Sequence, residues 1–274
     1  MSSPSGYDTR LALPHPSKPM VLVLVGLLSI WIVFTAGINW GGASEAVFDA
    51  LAGNTVAIAQ GQLWRLFTAP LLHRHDPAGG VQHIAFALMG IYFLGTALEQ
   101  AWGSARLVRF LAATAVTSYF TQWVVALALP ASIGSRFVPA LWYGTSPVIA
   151  ALSIAFALSL KHQKILLFFV LPVGSRALIL TTVGIGLMLL IADALGPSGH
   201  VAPFAGMAMG WVFGGSTPSP ARRLWLRFRM KQLDAEVRRS AVRSQSKSRT
   251  RRFEVISGGR DDSKNKGKND RNLH

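Results

Sequence analysis

Apolar residues in this chain are gathered into runs too long and too uniform for a half-buried surface. Six runs stand out: Met20–Ile38, His83–Glu99, Arg106–Leu129, Ser146–Leu160, Ala177–Leu195 and Val201–Gly215. Windows of about 17–25 residues with almost no charge have the length needed to cross the hydrocarbon core of a bilayer. The pattern predicts an all-α polytopic membrane protein, a bundle of six transmembrane helices. A seventh apolar stretch, Ile165–Val173, is too short to cross alone and reads as a re-entrant or surface segment. Between the first two runs, Val47, Leu51 and Val56 suggest a short amphipathic helix lying in the interface, with Glu45 and Asp49 toward water. Pro130–Tyr143 reads as a loop.

The charged positions orient this bundle. With six crossings both termini share a side, and Arg106, Arg109, Lys161, Lys164 and Arg176 fall on that side too. The positive-inside rule makes it cytoplasmic. The first apolar run is too long for a signal-peptide core and carries no small-residue cleavage site, so it is expected to be retained.

Composition sharpens the division into parts. The 274 residues are 51% hydrophobic and 14% charged, with a formal charge of +15. From Thr217 onward there are 17 Lys/Arg against six Asp/Glu, a net of +11, so the basic character belongs to a tail. Nucleic acid is therefore not an expected partner. Residues 1–19 form a polar N-terminal stretch, 20–216 the membrane domain, and 217–274 the basic tail. Within the tail, Leu226, Met230, Leu233, Val237 and Ala241 recur at helical spacing among arginines, a pattern suited to anionic lipid at the inner leaflet. There are no cysteines, which excludes disulfides and thiolate metal sites. His73, His75, Asp76 and His83 match no recognised zinc spacing, and neither metal nor cofactor is expected.

The candidate chemistry sits at helix mouths. Ser146, in Tyr143-Gly144-Thr145-Ser146-Pro147, reads either as a helix cap or as a nucleophile. His200 reads either as a solvated or capping interface residue or as the base that activates that serine. The fourth and sixth runs both point inward, so Ser146 and His200 share the outer membrane depth. Small residues offer the two helices a way to touch: Ser146, Ala150, Ser153 and Ala157 on one, Ala202, Gly206, Gly210 and Gly214 on the other. Asp193 is the one acid near enough in sequence to orient His200, and a dyad without a carboxylate is the simpler arrangement.

Trp64-Arg65, His73, His83-Ile84-Ala85-Phe86-Ala87, the run from Tyr92 to Ser104, Gly144-Thr145-Ser146, and His200 with Gly206 and Gly210, in that order, resemble the rhomboid intramembrane serine proteases. The resemblance covers about residues 60 to 215. It implies that Ser146 is the nucleophile, His200 its base, and His83 a holder of the oxyanion, with Gly144 the glycine two positions before the serine. Trp64-Arg65, Glu99 and Gly103 would be structural. It further implies a bacterial plasma-membrane protein whose partners are transmembrane segments of other proteins. Two positions depart from the family pattern. Ala87 stands where an asparagine donates to the oxyanion, and Pro147 follows the serine in place of glycine. Ala87 favours the alternative of a weak or inactive relative that binds membrane helices without cutting them.

Overall fold

A computed structural model describes residues 15–159, 165–167, 171–194, 196–214 and 220–250. The start of the N-terminal stretch, the Lys161/Lys164 connection and the tail beyond Thr250 lie outside the described residues. Three helical segments are long and apolar enough to cross a membrane: α1 (Lys18–Asn39), the combined segment Gly80–Trp102, and α7 (Ser104–Ala128). At 1.5 Å per residue they reach about 33–38 Å, slightly more than the hydrocarbon thickness. Three shorter apolar helices complete the membrane core: α9 (Ser146–Ser159), α10 (Ser175–Ile191) and α11 (Val201–Phe213). The protein is an integral membrane protein of helical type.

Helix ends follow the backbone chemistry of the sequence. Pro19 lies in the first turn of α1, where its missing N–H costs nothing. The Gly80–Trp102 segment is α5 (Gly80–Gly90), a widened π turn (Ile91–Gly95) and α6 (Thr96–Trp102). Gly103, at φ +83°, breaks it from α7. Glu99 ties this corner to α1 by accepting from the Ser17 amide at 3.1 Å and from the Ser17 hydroxyl. That is the structural part expected of Glu99.

The segment between α1 and α5 folds as short pieces rather than one interfacial helix: α2 (Ala46–Leu51), α3 (Thr55–Ala59), α4 (Arg65–Thr68) and a 3-10 turn (Ala69–Leu71). Phe48 and Ile58 turn inward, while Val47 and Val56 stay exposed. Arg65, 8% exposed, clamps the pieces together. It donates to the carbonyls of Asp49 and Ala52 and to Gln62 Oε1, so its charge is spent on backbone that would otherwise lack partners. The expected loop Pro130–Tyr143 contains a helix, α8 (Ala131–Phe137), started by Pro130. Ile165–Val173 holds two antiparallel strands, β1 (Ile165–Leu167) and β2 (Leu171–Val173), pairing Ile165 with Val173.

At the centre stands α9, buried from Pro147 to Ala157 except at the half-buried Ile149. A helix apolar all round belongs inside a bundle. Its partner is α11, and the contact is backbone against backbone. A Cβ added at Gly206 would lie 2.0 Å from the Pro147 carbonyl oxygen, and one at Gly210 would lie 2.3 Å from that of Ala151. Gly214 meets Ala155 in the same way. The expected α9–α11 contact is present, but the α9 face is Pro147, Ala151 and Ala155 rather than Ser146, Ala150, Ser153 and Ala157. The shift by one position leaves Ser146 beside the contact rather than under it.

The C-terminal helix α12 (Pro220–Thr250) forms a separate compact unit from Trp225 onward. Leu226, Met230, Leu233 and Val237 are exposed along it, as is every other side chain from Trp225 to Ser240. Trp225 and Phe228 are exposed as well and fall off that stripe, so the first two turns are apolar on more than one side.

Candidate active site

Ser146 opens α9, and the residues before it are held from four directions. Trp142 exchanges two backbone hydrogen bonds with Gly53, at 2.8 and 2.9 Å. Tyr143 N donates to Pro197 O at 2.9 Å, and Gly144 N donates to Ala69 O at 3.0 Å. The Tyr119 hydroxyl, from α7, donates to Gly144 O at 2.7 Å. Gly144 has φ +109°, a conformation side chains rarely adopt. A Cβ there would also press on the His83 ring, 3.2 Å from Cε1 and 3.4 Å from Nε2. Thr145, rather than Ser146, occupies the N-cap position, since its carbonyl accepts from Ile149 N at 3.0 Å. The Ser146 side chain is thus free of capping duty. Pro147 fits the first turn of the helix.

His200 is reached by a similar device. Gly199, at φ +70°, precedes it, and a Cβ there would lie 2.7 Å from Gln122 Oε1. His200 N donates to Phe137 O at 2.9 Å, and Ala202 N to Gln122 Oε1 at 3.0 Å. The helix α8, absent from the sequence reading, therefore anchors the candidate base. The imidazole makes no capping bond to α11. It is 5% exposed, and its Nε2 is buried without a hydrogen-bond partner among the described residues.

His83, on α5, is oriented from behind. The Arg74 amide donates to His83 Nδ1 at 3.2 Å, which makes Nδ1 the acceptor and assigns the ring proton of the neutral form to Nε2. The loop that delivers this amide is itself fixed. Arg74 Nε donates to Asp76 Oδ2 at 2.7 Å, Gly79 N donates to Asp76 Oδ1 at 2.9 Å, and Trp31 Nε1 on α1 donates to Arg74 O at 2.8 Å. The Arg74 guanidinium holds the Asp76 carboxyl below the usual carboxylate range.

His83, Ser146 and His200 line one cavity of about 440 Å³, walled by α9, α10 and α11. The Ser146 hydroxyl donates to Ser198 Oγ, and among the hydrogen bonds of the described residues none joins it to His200. Ser198, 5% exposed, lines the same cavity and was not singled out in the sequence. Asp193 is exposed at φ +50°, and among the described residues it makes no bond to His200. Ala87 is 2% exposed and stands outside the cavity lining.

His73 belongs to the same framework. It is 1% exposed, donates from Nδ1 to Leu71 O at 3.2 Å and accepts at Nε2 from the Thr145 hydroxyl at 3.1 Å. Burial, then the nearby His83 ring, pushes its pKa down to about 4. Tyr119, Gln122 and His73 form the frame behind the Gly144–Ser146 elbow and the His200 turn. For Tyr119 and Gln122 the signal in the sequence is polarity inside a membrane-spanning run, where polar side chains face the interior.

A family model described as eukaryotic integral membrane protein (DUF1751), a rhomboid-like membrane family, matches residues 19–214. The chain belongs to this family. Among curated relatives, the rhomboid protease GluP of Bacillus subtilis is 26% identical over 200 residues, covering 72% of this chain and 35% of the relative. The putative rhomboid protease YdcA of the same organism is 30% identical over 112 residues, covering 40% of this chain and 50% of the relative. The chain thus spans between a third and a half of the length of these relatives. The rhomboid-like kinship expected from the Gly144-Thr145-Ser146 and His200 elements is met across the whole membrane core.

Proposed function

We propose that this rhomboid-like protein is an intramembrane serine endopeptidase that cuts transmembrane segments of other membrane proteins. In this reading Ser146 is the nucleophile and His200 the general base. The Ser146 hydroxyl leaves Ser198, passes its proton to His200 Nε2, and attacks the scissile carbonyl carbon. The oxyanion that forms is met by the Nε2–H of His83 and by the backbone N–H of Ser146. Collapse expels the amine, which takes the proton from His200, and water then hydrolyses the acyl-enzyme by the same relay. Gly144 keeps the elbow close to His83.

The observation that carries this reading is the cavity shared by Ser146, His200 and His83, with a His200 Nε2 that has no partner among the described residues. A buried imidazole nitrogen without a partner is costly in a purely structural site. The arrangement has a use when a hydroxyl proton is delivered to it.

The reading includes the finer topology. The three shorter apolar helices join the three long segments in a six-span bundle within residues 20–216, with both termini in the cytoplasm of a bacterial cell. Residues 217–274 form the basic tail, whose α12 lies on anionic lipid.

A second reading is favoured by Ala87 and by the Ser146–Ser198 bond: a rhomboid-like protein that binds membrane helices without cutting them. The two are separated by incubating purified protein in lipid with a model transmembrane substrate. Cleavage lost in Ser146→Ala and in His200→Ala supports the protease. Substrate retention without cleavage, unchanged in Ser146→Ala, supports the binder.

A further inference from the structure

At the corner where α6 meets α7, a second cavity of about 310 Å³ opens between α7 and α11. Its mouth carries Trp102, Arg106 and Arg109, and its wall is Phe110, Met209 and Phe213. The Arg106 guanidinium lies over the Trp102 ring, 4.6 Å from its centre, and donates to Phe213 O at 3.4 Å. Arg109 donates from Nε to Ala105 O at 3.0 Å within its own helix. Among the described residues neither arginine is in an ion pair. Glu99, the acid of the same corner, takes its hydrogen bonds from Ser17 instead.

The depth of this cavity is fixed by the helices that form it. Trp102 closes one candidate span and Ser104 opens the next, so both arginines lie at a membrane boundary. Tryptophan is at home at that level. The apolar wall runs from there along α7 and α11 toward the hydrocarbon. Two cations with no ion pair among the described residues, above an apolar groove entering the bilayer, match a negative headgroup above an acyl chain.

We propose that this cavity binds an anionic phospholipid, its phosphate on Arg106 and Arg109 and one acyl chain against Phe110, Met209 and Phe213. The guanidinium suits a phosphate because its planar donors meet two oxygens at once. A free phosphate would leave the apolar wall unused, and exposed ion pairs alone contribute little. Under the charge-based topology the site faces the cytoplasmic leaflet, where anionic lipid concentrates. The proposal is independent of the protease reading. It is also separate from any lipid contact of α12, since every residue involved belongs to the membrane core.

The test uses the full chain in phosphatidylcholine nanodiscs doped with a photoactivatable lipid, either phosphatidylglycerol or phosphatidylcholine carrying a diazirine in one acyl chain. After irradiation, adducts are mapped by peptide mass spectrometry. The expected result is adducts on peptides spanning residues 102–113 and 209–213, several-fold stronger with phosphatidylglycerol. The double variant Arg106→Gln/Arg109→Gln should fall to the phosphatidylcholine level. Ala113→Phe, which fills the groove and keeps both arginines, should lose the adducts as well and covers the case where the double variant misfolds. Equal labelling by the two lipids, or phosphatidylglycerol adducts that persist in both variants, overturns the proposal. So does full competition by inorganic phosphate, which would assign the site to a free anion.

Discussion

Adding one methyl group at Gly206 should damage the candidate site more than any other single-atom change in α11. Ordinary van der Waals contact begins near 3.4 Å, whereas a Cβ at Gly206 would lie 2.0 Å from the Pro147 carbonyl oxygen. The obstacle is backbone, which has no rotamer to move, so the helices must part by about 1.4 Å at that level. Over-packing of this kind costs about 1–3 kcal/mol. The larger effect falls on chemistry, because Gly206 sits less than two turns from His200 and its contact is the residue after Ser146. A misplacement of about 1 Å between reacting groups lowers rates by roughly 100-fold. The assay pairs the melting temperature of detergent-purified Gly206→Ala with its rate of labelling by a fluorophosphonate probe. Gly184→Ala on α10 is the control, since nothing lies within 4 Å of its Cβ. There the change should be neutral or stabilising by up to about 1 kcal/mol through helix propensity. If Gly206→Ala melts and labels like the parent protein, the close α9–α11 contact described here is wrong.

Three other outcomes follow from the same geometry. His73 has a folded pKa of about 4 against an ordinary 6.5, so the unfolded chain binds its proton first as pH falls. Stability should therefore drop from pH 6.5 to about 4 by roughly 3 kcal/mol and level off below, and His73→Asn should remove that part of the slope; a parallel pH profile in the variant would contradict it. Ser198→Ala releases the Ser146 hydroxyl from a bond of about 0.5–1.5 kcal/mol, so labelling of Ser146 should speed by roughly 2- to 10-fold, whereas unchanged or slower labelling would show that Ser198 does not hold the serine at rest. Removing residues 222–274 should weaken binding to anionic liposomes in a salt-dependent way, and equal binding at all salt concentrations would discard the tail as a lipid contact.

The membrane character of the chain was legible because runs such as Met20–Ile38 leave no other fate for their side chains. The α9–α11 contact was legible from Gly206, Gly210 and Gly214, since only small residues recur so regularly at four-residue spacing. Which face of α9 met them was not. Alanine and serine stand on both candidate faces, so volume alone does not choose between Ala150 and Ala151. The short helices between α1 and α5 and the helix α8 were hidden for a different reason. Their order comes from contacts far apart in sequence, such as Arg65 on the Asp49 and Ala52 carbonyls and Phe137 O on the His200 amide.

The candidate site was half visible. Ser146 and His200 stood out by residue type and position, His83 and Gly144 through the rhomboid resemblance, and the structure brings all four to one place. Ser198 escaped because a serine in a Gly/Pro-rich turn is ordinarily a turn residue. The parts played by His73 and Tyr119 are not legible because their partners, the Thr145 hydroxyl and Gly144 carbonyl, lie 72 and 25 residues away. The Ser146 hydroxyl rests on Ser198 rather than on His200, so under the proposed mechanism the Ser146–His200 bond would form only once substrate is bound.

The central claim is that Ser146 is an activated nucleophile, and the most direct measurement is active-site labelling of the purified full-length protein in lipid. A fluorescent fluorophosphonate should mark the parent protein at the peptide containing Ser146, fail on Ser146→Ala, and react far more slowly with His200→Ala. Absence of labelling in the parent protein, or labelling that survives Ser146→Ala, would contradict the account.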